Sequence, residues 1–140
     1  MTAAAGHVLQ NEALAVRSDG DVVRVRQAVR ALAQTAKLSL VDQTKLVTAA
    51  SELARNTLVH GGGGNAVLEV VADGARRGVR AAFADDGPGI ADVTLALTDG
   101  YTTGTGLGLG LSGARRLVDL FELETAPGAG TRVTITKWAR

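Results

Sequence analysis

Apolar residues recur along this chain in two rhythms, and the rhythm changes where the glycines fall. Val22, Val25, Val29, Leu32 and Ala36 lie at steps of three and four while Arg24, Arg26, Gln27 and Arg30 lie mostly off that stripe, which predicts an amphipathic helix of about four turns. Ser18-Asp19-Gly20-Asp21 ahead of it reads as a turn ending in an N-cap, and a strand-like stretch around Val8 to Val16 comes before the turn. Ser39-Leu40-Val41-Asp42 has the form of a capping box and opens a second helix, Leu40 to about Val59. Gly61 to Gly64 stop this helix, because four residues without side chains are strongly unfavourable inside one.

Beyond the glycines the runs become short and β-prone. Val67 to Val71 and Val79 to Phe83 read as two strands joined through the turn-rich Asp73-Gly74-Ala75-Arg76-Arg77-Gly78. A short helix is expected over Ala91 to Leu97, a glycine-rich loop from Asp99 to Gly108, and a helix over Leu109 to Leu120. Glu122 to Ala126 and Arg132 to Thr136 then form a hairpin around Pro127-Gly128-Ala129-Gly130. Helices and hairpins are thus segregated. The expected fold is α+β, a two-layer sandwich with a mixed, mostly antiparallel sheet and helices on one face, built as a single domain over residues 1–140. A doubly wound parallel sheet needs a strand-helix alternation that this order lacks.

Composition narrows the function classes. With 15 basic against 14 acidic residues the formal charge is +1, which offers no basic field for nucleic acid and no acidic tail. Cysteine is absent, which removes disulfides, thiolate metal sites and a Cys nucleophile. No apolar run reaches the ~18 residues of a membrane span and Met1 to Gly6 has no signal-peptide pattern, so the expected location is the cytoplasm, with no membrane partner. Apolar residues make up 46% but aromatics only 3%, so the core is expected to be built from Ala, Val and Leu.

The chemistry concentrates in three places. On the second helix Glu52 and Asn56 are one turn apart and share a face, a carboxylate beside a carboxamide oxygen, as metal-assisted phosphoryl transfer could use. The same spacing also suits a plain solvated face, with Leu46, Ala50, Leu53, Ala54 and Leu58 buried and Lys45, Thr48 and Arg55 opposite. Asp85-Asp86-Gly87-Pro88-Gly89-Ile90 follows a β-run; it suits a simple turn, or a pocket in which Asp85 accepts from the exocyclic amine of a base while the backbone at Gly87 and Gly89 lies against the ring. Gly104-Thr105-Gly106-Leu107-Gly108-Leu109-Gly110 ends at a helix start, where free N–H groups and the helix terminus suit phosphate, or it is only a flexible loop.

Leu111 follows the last glycine, where a phosphate-binding loop of the lysine type carries Lys and Ser or Thr, and the chain's only lysines are Lys37, Lys45 and Lys137. Any triphosphate must therefore be held by backbone, a helix terminus and a metal. Gly108 to Gly113 also has the spacing of a dinucleotide fingerprint, but it lies inside the predicted helix instead of directly after a strand. His60 reads as a helix-end histidine, and His7 lies too far off in sequence to share a metal with it.

In order, Glu52-x-x-x-Asn56, Asp85-x-Gly87-x-Gly89, Gly104-x-Gly106-x-Gly108-x-Gly110 and Gly130-Thr131 resemble the four nucleotide-binding boxes of the GHKL ATPase superfamily. Within it, Ser51 to Asn56, Asp99 to Thr103, Gly106 to Leu111 and the closing Thr136-Lys137-Trp138-Ala139-Arg140 look most like the switch kinases of the stressosome. The resemblance runs from about Val22 to the carboxyl terminus. It implies the Bergerat ATP-binding fold, ATP and Mg²⁺ as cofactors, and transfer of the γ-phosphoryl group to Ser or Thr of STAS-domain proteins. It further implies that the released kinase binds and activates a PP2C-type phosphatase. Carried over by position, Glu52 is the general base, Asn56 the Mg²⁺ ligand, Asp85 the adenine contact and Thr131 a further adenine-side contact. Gly87, Gly89 and Ile90 then form the base pocket, and Gly104, Thr105, Gly106, Leu107, Gly108, Leu109 and Gly110 the lid and phosphate cradle. Anti-sigma factors share all four boxes, so direct capture of a sigma factor is the alternative; a nucleotide-gated module without phosphoryl transfer fits less well with the presence of Glu52.

Overall fold

The computed structural model describes residues 7–98 and 110–140. Their elements run β1 (His7–Val16), α1 (Asp19–Thr35), α2 (Leu40–Val59), β2 (Gly64–Asp73), β3 (Arg76–Asp85), α3 (Val93–Ala96), α4 (Gly110–Arg116), β4 (Leu120–Thr125) and β5 (Thr131–Trp138). The five strands form one sheet in the order β1-β2-β3-β5-β4, and all four pairings are antiparallel. The α+β architecture is therefore as expected, and no parallel pair occurs among the described residues.

The two long helices begin where side-chain oxygens replace missing intrahelical acceptors. Ser18 accepts from the Asp21 N–H at 3.2 Å and Ser39 from the Asp42 N–H at 3.1 Å. The reciprocal half of each box is turned elsewhere. The Asp21 carboxylate takes the Arg17 N–H at 2.9 Å, and the Asp42 carboxylate faces Lys137 and Arg140. Buried positions alternate along the strands, with Ala66, Leu68 and Val70 on β2, Val79, Ala81 and Phe83 on β3, and Val133 and Ile135 on β5. These share one core with Val25, Val29 and Leu32 of α1 and Leu46, Ala50 and Leu53 of α2, which fixes the helical layer on that face. The opposite face carries the exposed Val67 and the Glu69–Arg80 ion pair at 2.7 Å.

Several boundaries differ from the sequence reading. The β2–β3 connection is only Gly74 and Ala75, with Gly74 at φ 65°, and Gly78 is a buried strand residue, not part of the turn. α4 ends at Arg116 and β4 starts at Leu120, because the Asp119 carboxylate accepts from the Trp138 N–H at 2.7 Å while its own N–H donates to the Thr136 carbonyl at 3.0 Å. That pair of bonds draws the chain into the sheet where continuation of the helix was expected. α3 is cut to Val93–Ala96, capped by Asp92, whose carboxylate accepts from the Leu95 N–H at 2.9 Å.

Candidate functional site

Strand registers place four residues in one row at one end of the sheet. Gly64 pairs with Asp85, Asp85 with Thr131, and Thr131 with Thr125. Directly paired residues point to the same face, and here it is the helix-covered one, since Asp85 follows Val79, Ala81 and Phe83 at even steps. Val16 closes the row by pairing with Gly64.

The carboxyl end of α2 comes down on this row. A Cβ placed on Gly61 would lie 2.3 Å from the Asp85 Cγ and 2.5 Å from its Oδ2, and one placed on Gly87 would lie 2.8 Å from the Gly61 Cα. The backbones of Gly61 and Gly87 and the Asp85 carboxylate therefore meet at a spacing that leaves no room for a side chain on either glycine, which is why the helix is followed by glycine at 61. The run is also internally tied. The Asn56 carbonyl accepts from the His60 and Gly61 N–H groups at 2.9 and 3.2 Å, the Gly63 N–H donates to the Thr57 carbonyl at 2.9 Å, and Gly62 and Gly63 take φ 75° and 106°. Asn56 lies in the last turn beside this junction and Glu52 one turn earlier; both are half-buried, whereas Lys45, Thr48 and Arg55 are exposed. The plain solvated face thus holds the latter three residues but not the first two.

Asp85 is half-buried and held in one orientation, its Oδ1 accepting from the Gly87 N–H at 2.9 Å. The following loop is stitched to the β4–β5 hairpin. The Gly128 N–H donates to the Pro88 carbonyl at 2.6 Å and the Ile90 N–H to Thr125 Oγ1 at 2.9 Å. Gly89 and Gly130 stand at φ 75° and 79°, and an added Cβ would lie 2.0 Å from the Ala126 carbonyl oxygen and 2.2 Å from the Asp85 carbonyl oxygen respectively. Asp85, Gly87, Gly89, Ile90 and Thr131 are thus brought together, with α2 alongside. Gly110 opens α4 at φ 70°, and the adjacent Leu111, Ser112 and Ala114 are buried. The expected lid residues Gly104, Thr105, Gly106, Leu107, Gly108 and Leu109 lie outside the described residues.

Two groups of residues here were missed by sequence reasoning. Thr125 is one; counting the hairpin register outward from Pro127-Gly128 would have paired it with Thr131. Gly61 and Gly64 are the other, read only as a helix stop although their neighbours Asp85 and Ala84 require them. Lys137 is not a phosphate contact, being buried at the far end of the sheet between Asp42 and Asp119 at 3.6 and 3.9 Å.

A carboxylate held in one orientation by the Gly87 N–H, at a junction of closely packed glycine backbone, suits a ring bearing an amine. Among the described residues no group of three His, Cys, Asp or Glu side chains could hold a metal. Mg²⁺ in nucleotide sites typically takes only one or two protein oxygens and fills its sphere with phosphate and water, so the Asn56 carboxamide is a chemically adequate donor.

This fold and corner define a nucleotide-binding ATPase domain, and residues 41–140 match the histidine kinase-, DNA gyrase B- and HSP90-like ATPase family. The chain belongs to that family. It is 40% identical over 125 residues to the serine/threonine-protein kinase RsbT of Bacillus subtilis, covering 89% of this chain and 94% of the relative, and its enzyme class is accordingly that of an ATP-dependent serine/threonine protein kinase. It is also 27% identical over 137 residues to the anti-sigma F factor of Clostridium novyi, with 94% of each chain covered. Among solved structures, the RsbU and RsbW domains of a Mycobacterium tuberculosis protein share the fold at a TM-score of 0.64 and 22% identity, over 94% of this chain but 33% of that one. The SiaB–SiaC complex from Pseudomonas aeruginosa matches at a TM-score of 0.54 and 14% identity, covering 94% and 90% of the two chains.

Proposed function

We propose that this protein is the switch kinase of a partner-switching stress module, transferring the ATP γ-phosphoryl group to a Ser or Thr of a STAS-domain protein and, when released, binding and activating a PP2C-type phosphatase. The observation that carries this is the 40% identity to RsbT across nearly the whole of both chains, with Glu52 and Asn56 half-buried on α2, the helix whose end meets Asp85 through Gly61. In this reading Asp85 and Thr131 hold the adenine, with Gly87, Gly89 and Ile90 forming the pocket wall. Asn56 holds Mg²⁺, which supplies charge neutralisation between the phosphates. Glu52, one turn back from Asn56, takes the proton from the attacking hydroxyl, and the phosphate-binding role falls to the Gly104 to Gly110 motif. Such a module works in the cytoplasm, and no helix of the described residues is long and apolar enough to cross a membrane.

Incubating the protein with labelled Mg-ATP and candidate STAS-domain proteins tests the reading. Label should appear on Ser or Thr of the acceptor and fall by about 10²- to 10⁴-fold with Glu52→Gln, the usual contribution of a general base. Transfer that survives this substitution removes Glu52 from the role. The 27% identity to the anti-sigma F factor supports a second reading, direct capture of a sigma factor. Co-purification separates the two, since a stable sigma complex favours the latter and a phosphatase complex the former.

A further inference from the structure

We propose that Thr125 is a positioning residue that makes the Thr131 hydroxyl a pure hydrogen-bond acceptor, so that the Asp85–Thr131 corner selects a base by the N–H donors it offers. This rests on the reading of that corner as the base site. A threonine hydroxyl has one proton and two lone pairs. Thr125 Oγ1 lies 2.8 Å from the Gly130 carbonyl oxygen, which can only accept, so its proton is spent there. It receives the Ile90 N–H at 2.9 Å, which takes one lone pair. Its remaining contact, 3.0 Å to Thr131 Oγ1, can then be made only with Thr131 as the donor. Thr131 is thereby left with lone pairs alone to offer a ligand.

The neighbouring group has the same character. Asp85 pairs with Thr131 in the sheet, its Oδ1 is occupied by the Gly87 N–H, and its Oδ2 lies on the Gly61 side. A carboxylate accepts and does not donate. Side by side, the two residues present acceptors with no side-chain proton between them. An exocyclic amine satisfies that arrangement, whereas a carbonyl oxygen in its place brings lone pair against lone pair, an arrangement that buried sites reject. Thr125 touches no ligand in this account. It acts by fixing the direction of one proton, and at the same time ties the Ile90 backbone to the hairpin.

The test is calorimetric binding of Mg-ATP, Mg-ITP and the triphosphate of purine riboside, which carries hydrogen where adenine carries its amine. Wild type, Thr125→Ser, Thr125→Val and Thr131→Val are compared, with far-ultraviolet dichroism and thermal unfolding to confirm folding. The expected result is that wild type and Thr125→Ser prefer ATP to ITP by the same factor. Thr125→Val frees the Thr131 proton to turn toward the ligand and should narrow that preference about fivefold, the size of one neutral hydrogen bond. Affinity for the purine riboside nucleotide should move much less. An unchanged ATP-to-ITP ratio in Thr125→Val overturns the proposal, as does an equal loss for all three nucleotides, which marks a merely structural role. Should Thr125→Val not fold, Thr131→Val must narrow the ratio for the proposal to stand. If wild-type protein binds none of the nucleotides, or binds ATP and ITP alike, the base-site reading itself has failed.

Discussion

At the residue scale the informative contact is Gly61 against Asp85. A methyl group on Gly61 would sit 2.3 Å from the Asp85 Cγ, so Gly61→Ala must push the carboxylate aside or lift the end of α2. Overpacking of this kind typically costs about 1–3 kcal/mol, and here it also moves the carboxylate proposed to contact the base. Gly61→Ala should therefore lower the unfolding midpoint in urea and weaken ATP binding together. Gly62→Ala, at φ 75° with nothing within 4 Å of the added atom, should cost stability through backbone strain alone and leave ATP affinity near wild type. Titration calorimetry beside urea melts separates these outcomes. The sequence could show that four glycines end a helix, because that follows from local propensity. It could not show which of the four is pressed against Asp85, because that residue is 24 positions away and only the register of β2 with β3 brings it there.

At the element scale, α2 runs between two polar junctions about 30 Å apart, the length of its 20 residues. One is the Gly61–Asp85 corner proposed to take the nucleotide. The other binds its first turn to the end of β5, where buried Lys137 lies between Asp42 and Asp119 and Arg140 pairs with the same two carboxylates. Among the described residues, Lys137→Met would leave the exposed Arg140 as the one cation paired with the two acids. Breaking a buried ionic group typically costs about 3–5 kcal/mol, so this change should strongly lower the urea midpoint, whereas Arg140→Gln, on a side chain that is 65% exposed, should cost far less. Equal losses in the two variants would refute a central role for Lys137. The same junction explains which boundaries could be read beforehand. The apolar stripes of α1 and α2 are local and their extents were legible to within a few residues. The end of α4, the start of β4 and the far end of β5 were not, since Asp119 joins Trp138 and Thr136 across the sheet. Gly78 looked like a turn residue for a related reason. A Cβ there would lie 2.6 Å from the Lys137 carbonyl oxygen and 2.7 Å from Trp138 Cε3, and the Arg76 guanidinium stacks 4.0 Å from the Trp138 ring centroid.

At the scale of the whole molecule, the proposed function divides base recognition and phosphate chemistry between the layers: the Asp85–Thr131 corner belongs to the sheet end and Glu52 and Asn56 to α2. A ligand that bridges the layers must stabilise the fold, by about 2.7 kcal/mol at a free concentration one hundred times its dissociation constant. The division makes the two functions separable. Glu52→Gln should keep nearly the full ATP-dependent rise in melting temperature, because the proposed base is not a binding group, while losing transfer to the acceptor protein. Asp85→Ala should lose the rise itself, with or without metal. Asn56→Ala should retain the part of the rise seen with ATP in EDTA and lose the increment that Mg²⁺ adds. Thermal melts of the three variants with ATP, in EDTA and in Mg²⁺, measure all of this without an acceptor protein. A Glu52→Gln variant that no longer responds to ATP would mean that this carboxylate helps to hold the nucleotide, and the assignment of binding to one layer and proton transfer to the other would have to be abandoned.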